Sequence, residues 1–470
     1  MNKVINCFVN NKKFFIFLFP IPLLINLILN LLNAEFFFGF QNTSLNQEVI
    51  SLFLSALLFL FYIQFGKLLK LVFKTKYIVT SISIFWILIF AIDNLFIFLT
   101  KLITFQNYIY LCFFIFLILF TYKFSQYRHI LITSSIVIFL RLIFNLLNSK
   151  FSNLNVNFNS LFTSDEQRLW YPAIESIYNF NYFEILTNNP YPGYGLLTPY
   201  IGAFNNLILT GNVNFEYFLA INYLYIFLFF YFIYEISERN TTLIFVSSIF
   251  ITILLSSHWF TYVFFGSLLS EGISSFCFGV IFTEIANKKT SFLNKNIDIL
   301  VLISFGFLYY SRQFISTLVL IYLLYKTLTV KNNLYLVGFF PVILKFLQTK
   351  FLPNNYFDPY VSVDLFSNWY LNFYNIYKFF VQFFIDKPVT YLYLYFLLLI
   401  FLLRSQQIKY FDFHFINFLN FILVILLMIF FWHKSDVQSS YRYFLNTFYL
   451  MLYPLCSMID SQINSTNNKN

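Results

Sequence analysis

The residues best suited to chemistry lie together between Thr163 and Pro199, in the run TSDEQRLWYPAIESIYNFNYFEILTNNPYPGYGLLTP. It carries the carboxylates of Asp165, Glu166, Glu175 and Glu184, and it is punctuated by Pro172, Pro190, Pro192, Pro199, Gly193 and Gly195. A loop carboxylate can act as a general base toward a hydroxyl or an amide when it reaches the proton within about 2.6–3.2 Å. Asp165 is assigned that role. Glu166 is the alternate base, or a group that orients the acceptor. An adjacent acid pair is ordinarily just solvated, but here Trp170-Tyr171-Pro172 follows, an aromatic group suited to a membrane interface.

The elements that must position this loop are apolar. The chain has 470 residues, 60% hydrophobic and 10% charged, with a mean hydropathy of +0.73. A soluble domain carries about 25% charged residues, so the solvent for this surface is lipid. The 72 Phe and 36 Tyr read as lipid-facing filler, because Asn and Lys are frequent too, as an AT-rich genome dictates. Apolar runs of about 20 residues, at 1.5 Å each, cross about 30 Å of hydrocarbon. The predicted fold class is therefore all-α, a polytopic integral membrane helical bundle of about fourteen transmembrane helices. The spans fall near 14–33, 49–66, 77–99, 107–122, 129–147, 215–235, 242–257, 267–287, 297–311, 313–330, 334–347, 388–403, 413–432 and 442–459. The first is too long for a signal peptide and is read as uncleaved.

Residues 1–128 form an N-terminal set of helices and 129–459 a core with outer loops 148–214 and 348–387. Asn205 and Asn206 interrupt 196–211, which predicts an interfacial helix in the large loop. The polar tail 460–470 is expected to be disordered.

The net charge of +10 sits in short loops and reads as topology, not nucleic-acid binding. With the N-terminus cytoplasmic, Lys67, Lys70, Lys74, Lys76, Lys288 and Lys289 all fall inside. Roughly 18 Lys and Arg lie inside against roughly 10 outside. This sidedness puts Asp165 outside and places Glu271, Arg312 and Arg442 at outer helix ends. Asp93 and Arg141 share a depth within their spans and are expected to pair, since a lone charge there is costly.

A leaving phosphate needs cations at the same surface, and the planar fork of arginine binds phosphate oxygens in pairs. Arg312 and Arg442 are the candidates, with Tyr441 beside the second. Arg168 reads as a loop ion pair with Glu166 or Glu175. Glu271 either orients an acceptor, helps Asp165 hold a divalent cation, or complements a helix N-terminus. No cofactor is required by the pattern. Cys7, Cys112, Cys277 and Cys456 form no CxxC pair and the four histidines no HExxH, so neither a disulfide framework nor a zinc site is expected. His258 and His433 read as structural, and Asp358 and Asp364 as solvated loop acids.

The order of these motifs resembles the GT-C superfamily of polytopic glycosyltransferases. The matching positions are Asp165-Glu166, then Tyr191-Pro-Gly-Tyr-Gly195, Ser270-Glu271, Tyr310-Ser-Arg312 and Tyr441-Arg442-Tyr443, across roughly 129–459. The chain departs from the family at its front, where four spans precede the one leading into the acidic loop. The resemblance implies transfer of a sugar from a polyprenyl-phosphate donor to a glycan, lipid or protein acceptor outside the cytoplasm, and the compact loops with no retention signal point to a bacterial inner membrane. Two other readings stand beside it. An O-antigen-type polymerase or ligase would rely on outer-loop Arg and His, whereas acids dominate this loop. A lipid-linked sugar flippase or transporter would show midplane charges in related halves, and this chain has few.

Overall fold

The computed structural model describes residues 45–100, 177, 196–210, 218–256, 270–287, 295–311, 313–330, 333–351, 377, 411–430 and 445–467. Among the described residues the chain is helical throughout, with no strand. The helices are α1 (Leu45–Phe73), α2 (Ile78–Thr100), α3 (Leu197–Thr210), α4 (Phe218–Ile236), α5 (Asn240–Ser256), α6 (Ser270–Asn287), α7 (Lys295–Phe307), α8 (Gln313–Val330), α9 (Phe340–Phe351), α10 (Phe411–Phe430) and α11 (Leu445–Asn467). Two of them hold stretches long and apolar enough to cross a membrane, Leu52–Phe73 and Ile78–Leu95.

Ring contacts fix the helix directions. Trp86 meets Tyr225 and Tyr77 meets Phe232, so α4 runs antiparallel to α2. Tyr225 and Phe276 place α6 beside α4, and the Glu284 carboxylate at its far end reaches Lys76. Phe282 packs on Tyr322 of α8 and on Phe413 of α10. From α4 to α6 and across α8 and α10 these contacts set the helices side by side in one bundle. The first two helices share one core with the rest: Phe59 touches Phe227 and Tyr231, and Phe90 touches Phe307 and Tyr310.

Three sequence expectations need correction. The first concerns α3, which does not lie on the bundle surface. Leu197, Ile201 and Ala203 are fully buried. Phe90 meets Tyr200 and Phe85 meets Phe204, so α3 enters the bundle antiparallel to α2, in the same sense as α4. Later helices therefore keep the directions they would have without it. The asparagines that suggested a wet face are part of the reason it can be buried. The Tyr62 hydroxyl donates to Asn205 Oδ1, Trp86 Nε1 donates to that hydroxyl at 2.9 Å, and Asn205 Nδ2 donates to the Ile201 carbonyl at 2.9 Å. A buried amide with its partners in place costs little.

Second, the run read as one helix at 334–347 is a 3-10 segment, Asn333–Phe339, leading into α9. Pro341 has no N–H to donate, and Gly338 lies against Gly306 of α7. A Cβ on Gly306 would lie far inside van der Waals contact with the Gly338 carbonyl oxygen. Small residues at such a crossing let backbones touch. Gly306→Ala is expected to destabilise the protein by about 1–3 kcal/mol, since the clash is with backbone and not a side-chain tip. Thermal unfolding of the detergent-solubilised protein reads this, and an unchanged midpoint would refute the tight crossing.

Third, the polar tail is not irregular as far as it is described, because α11 continues to Asn467. Asp460 anchors that end by accepting from the Glu238 backbone N–H at 2.9 Å and from the Thr242 hydroxyl at 2.5 Å.

Candidate functional site

The bundle has two polar ends of different character. At one end lies the turn between α1 and α2. Lys74 closes α1 in the left-handed region (φ 49°), as a residue just past a helix C-terminus often does. The carboxylate of Glu284, on α6, then accepts the Lys76 backbone N–H at 2.8 and 3.0 Å. Glu235, on α4, accepts the Ile78 and Val79 N–H groups at 2.7 and 3.0 Å. The Ile78 and Val79 groups are orphan donors of the first turn of α2, so Glu235 caps that helix while Glu284 holds the turn just before it. Asp460 ties α11 to the start of α5 through the Glu238 N–H and the Thr242 hydroxyl. Asp412 pairs with Lys326 at 2.8 Å, their side chains 2% and 4% exposed. The Tyr322 hydroxyl donates to the same Asp412 oxygen at 3.4 Å. The carboxylates of Glu235, Glu284, Asp412 and Asp460 are thus all engaged in holding helices together.

The other end is reached about 22 Å along α2, fifteen residues on. Here Asp93 is 1% and Asn94 0% exposed. The Tyr200 hydroxyl faces the Asp93 carboxyl, while Asp93 Oδ2 has no hydrogen-bond partner among the described residues. Asn94 Oδ1 accepts from Gln348 Nε2 at 2.7 Å, and Gln348 Oε1 accepts from the Tyr310 hydroxyl at 2.8 Å. The Asn94 amide also faces the Tyr310 hydroxyl, closing the group. Phe90 lies beneath the group, against Tyr200, Phe307 and Tyr310.

The short 3-10 turn Leu308–Tyr310 that follows α7 is held from several sides. Lys345 Nζ donates to the Tyr309 carbonyl at 3.1 Å. The Ser316 hydroxyl is shared between the carbonyls of Tyr309 and Ser311, at 3.1 and 3.0 Å, and Ser311 N–H donates to Leu308 at 2.9 Å. The α6 helix opens at this end with Ser270-Glu271, and one turn further in Ser274 Oγ meets Thr198 Oγ1 at 2.6 Å, tying the start of α3 to α6.

Of the residues singled out from sequence, Glu271 is the second residue of α6, at the Asp93 end. Asp165, Glu166, Arg312, Tyr441 and Arg442 lie outside the described residues, as does Arg141, the expected partner of Asp93. No group of three His, Cys, Asp or Glu side chains that could hold a metal ion occurs among the described residues. Sequence reasoning missed Asn94, Lys345 and Gln348, and it noted Tyr310 only as the start of the Tyr310-Ser-Arg312 motif. The one available signal was a pair of polar residues, Lys345 and Gln348, three apart in an apolar run, and that pattern alone reads as two ordinary snorkelling side chains. No protein-family model, curated protein or solved structure matches the chain.

Proposed function

We propose that the chain is a polytopic membrane glycosyltransferase of about fourteen spans. It would move a sugar from a polyprenyl-phosphate donor to an acceptor at the extracytoplasmic face of a bacterial inner membrane, with inversion. The observation that carries this reading is the asymmetry of the two ends. Carboxylates at the Lys76 end are consumed by hydrogen bonds between helices and an ion pair. At the Asp93 end, the buried Oδ2 of Asp93 has no described hydrogen-bond partner, and Glu271 opens a helix there. A polar group without a partner is costly in an apolar setting, and it marks the end at which a polar substrate would meet the bundle. By the lysine distribution that end faces away from the cytoplasm, as the Asp165-Glu166 loop does. Asp165 then serves as base, Glu166 or Glu271 orients the acceptor, and Arg312 and Arg442, with Tyr441, meet the phosphate.

A transporter reading is favoured by one observation. Asn417 of α10 is 4% exposed, and neither polar atom of its amide has a hydrogen-bond partner among the described residues. Such a group in an apolar helix can mark a solute path. The purified protein in lipid nanodiscs, given a labelled polyprenyl-phosphate sugar and a hydroxyl or amide acceptor, tests the first reading through covalent transfer of label. The same protein in sealed vesicles tests the second through movement of label between leaflets without transfer. Movement alone would remove the glycosyltransferase reading.

A further inference from the structure

Two part-buried or buried lysines of the bundle have opposite surroundings. Lys326 meets Asp412 at 2.8 Å, so its charge is compensated. The Lys345 ammonium donates instead to the Tyr309 carbonyl at 3.1 Å and lies 5.0 and 5.6 Å from the ring centroids of Tyr309 and Tyr310. Among the described residues it forms no ion pair. A cation in an apolar bundle is costly without an anion, and the tyrosine rings and one carbonyl supply only part of the compensation.

A spare donor lies on the same turn. The Ser311 hydroxyl, on a residue 2% exposed, has no hydrogen-bond partner among the described residues. Gln348, one helical turn from Lys345, leads to Asn94, whose amide faces the Tyr310 hydroxyl. Arg312 follows Ser311 directly in the sequence, so a second cation enters the chain at this turn. An uncompensated cation beside a spare hydroxyl donor is relieved when an anion with several acceptor oxygens joins them.

We propose that Lys345 is a phosphate ligand, forming with the Ser311 hydroxyl an anion site at the Tyr309–Ser311 turn. The inference rests on the functional reading above only for the identity of the phosphate as that of the lipid carrier. The chemistry is shared by a lipid phosphate and by free phosphate, and the arms of the test separate them.

The full chain, purified in neutral detergent, is titrated with farnesyl phosphate, with inorganic phosphate and with farnesol. Binding of farnesyl phosphate but not farnesol is expected, with Lys345→Met weakening it at least about tenfold and Lys345→Arg staying within about threefold, as a retained charge predicts. Tight binding of inorganic phosphate with the same dependence on Lys345 assigns the site to the free ion. Equal binding of farnesyl phosphate by Lys345→Met and wild type, or no binding of either phosphate by wild type, overturns the site. Because Lys345→Met could fail to fold, the wild-type protein is also acetylated with and without farnesyl or inorganic phosphate and Lys345 is followed by mass spectrometry. Slower labelling with either phosphate supports the site, and unchanged labelling overturns it. Binding through Lys345 without sugar transfer leaves the site standing and removes the glycosyltransferase reading. Transfer with no role for Lys345 does the reverse.

Discussion

Replacing Asp165 by Asn is expected to lower sugar transfer by about 10²–10⁴-fold, the contribution of a positioned general base. The change keeps the shape of the side chain and removes its capacity to take a proton. At 1.36 kcal/mol per tenfold, the loss is about 3–5 kcal/mol of transition-state stabilisation. One inverting displacement needs one such base, because the departing phosphate is already a good leaving group; a double displacement would need a second carboxyl. Glu166→Gln should therefore cost much less, roughly tenfold or under, if Glu166 only orients the acceptor. The measurement is the initial rate of label transfer from a polyprenyl-phosphate sugar at saturating donor. A full rate for Asp165→Asn removes the assignment, and a severe loss confined to Glu166→Gln moves the base by one residue.

The second large effect is on stability. Lys326→Met should destabilise the protein by about 3–5 kcal/mol, because it leaves the Asp412 carboxylate buried without its counterion. The pair is enclosed, with Lys326 4% and Asp412 2% exposed, and the ammonium also lies 5.6 and 5.4 Å from the ring centroids of Tyr322 and Tyr325. Neighbouring rings hold the lysine in place but do not replace a cation for Asp412. The double variant Lys326→Met with Asp412→Leu removes both charges and should recover most of the loss, as apolar replacements of buried pairs often do. Unfolding midpoints of the wild type, the single variant and the double variant in one detergent decide the matter. A single variant as stable as the double would mean that the pair contributes nothing to holding α8 against α10.

These two sites differ in how far the sequence exposes them. Asp165 is legible because carboxylates are scarce in this chain and this one lies in its longest polar loop. Lys326 and Asp412 are equally rare charges, yet 86 positions separate them in the sequence, and nothing in either helix names the other. Hydrophobic periodicity records how much of a helix avoids water and says little about which neighbour it meets.

The sequence by itself determined the helical character of the protein and the presence of stretches long and apolar enough to cross a membrane. Both follow from composition and from the length of apolar runs, which are local quantities. Tertiary structure alone decided that α3 is buried, because burial of Asn205 depends on Tyr62, 143 positions away. Tertiary structure also decided that Glu235 caps α2 while Glu284 holds the turn just before it, and that Gln348 joins Asn94 across 254 positions. Hydrogen-bond complementarity between distant residues leaves no periodic trace in a chain. In a bundle whose apolar surfaces are nearly interchangeable, that complementarity selects which helices meet.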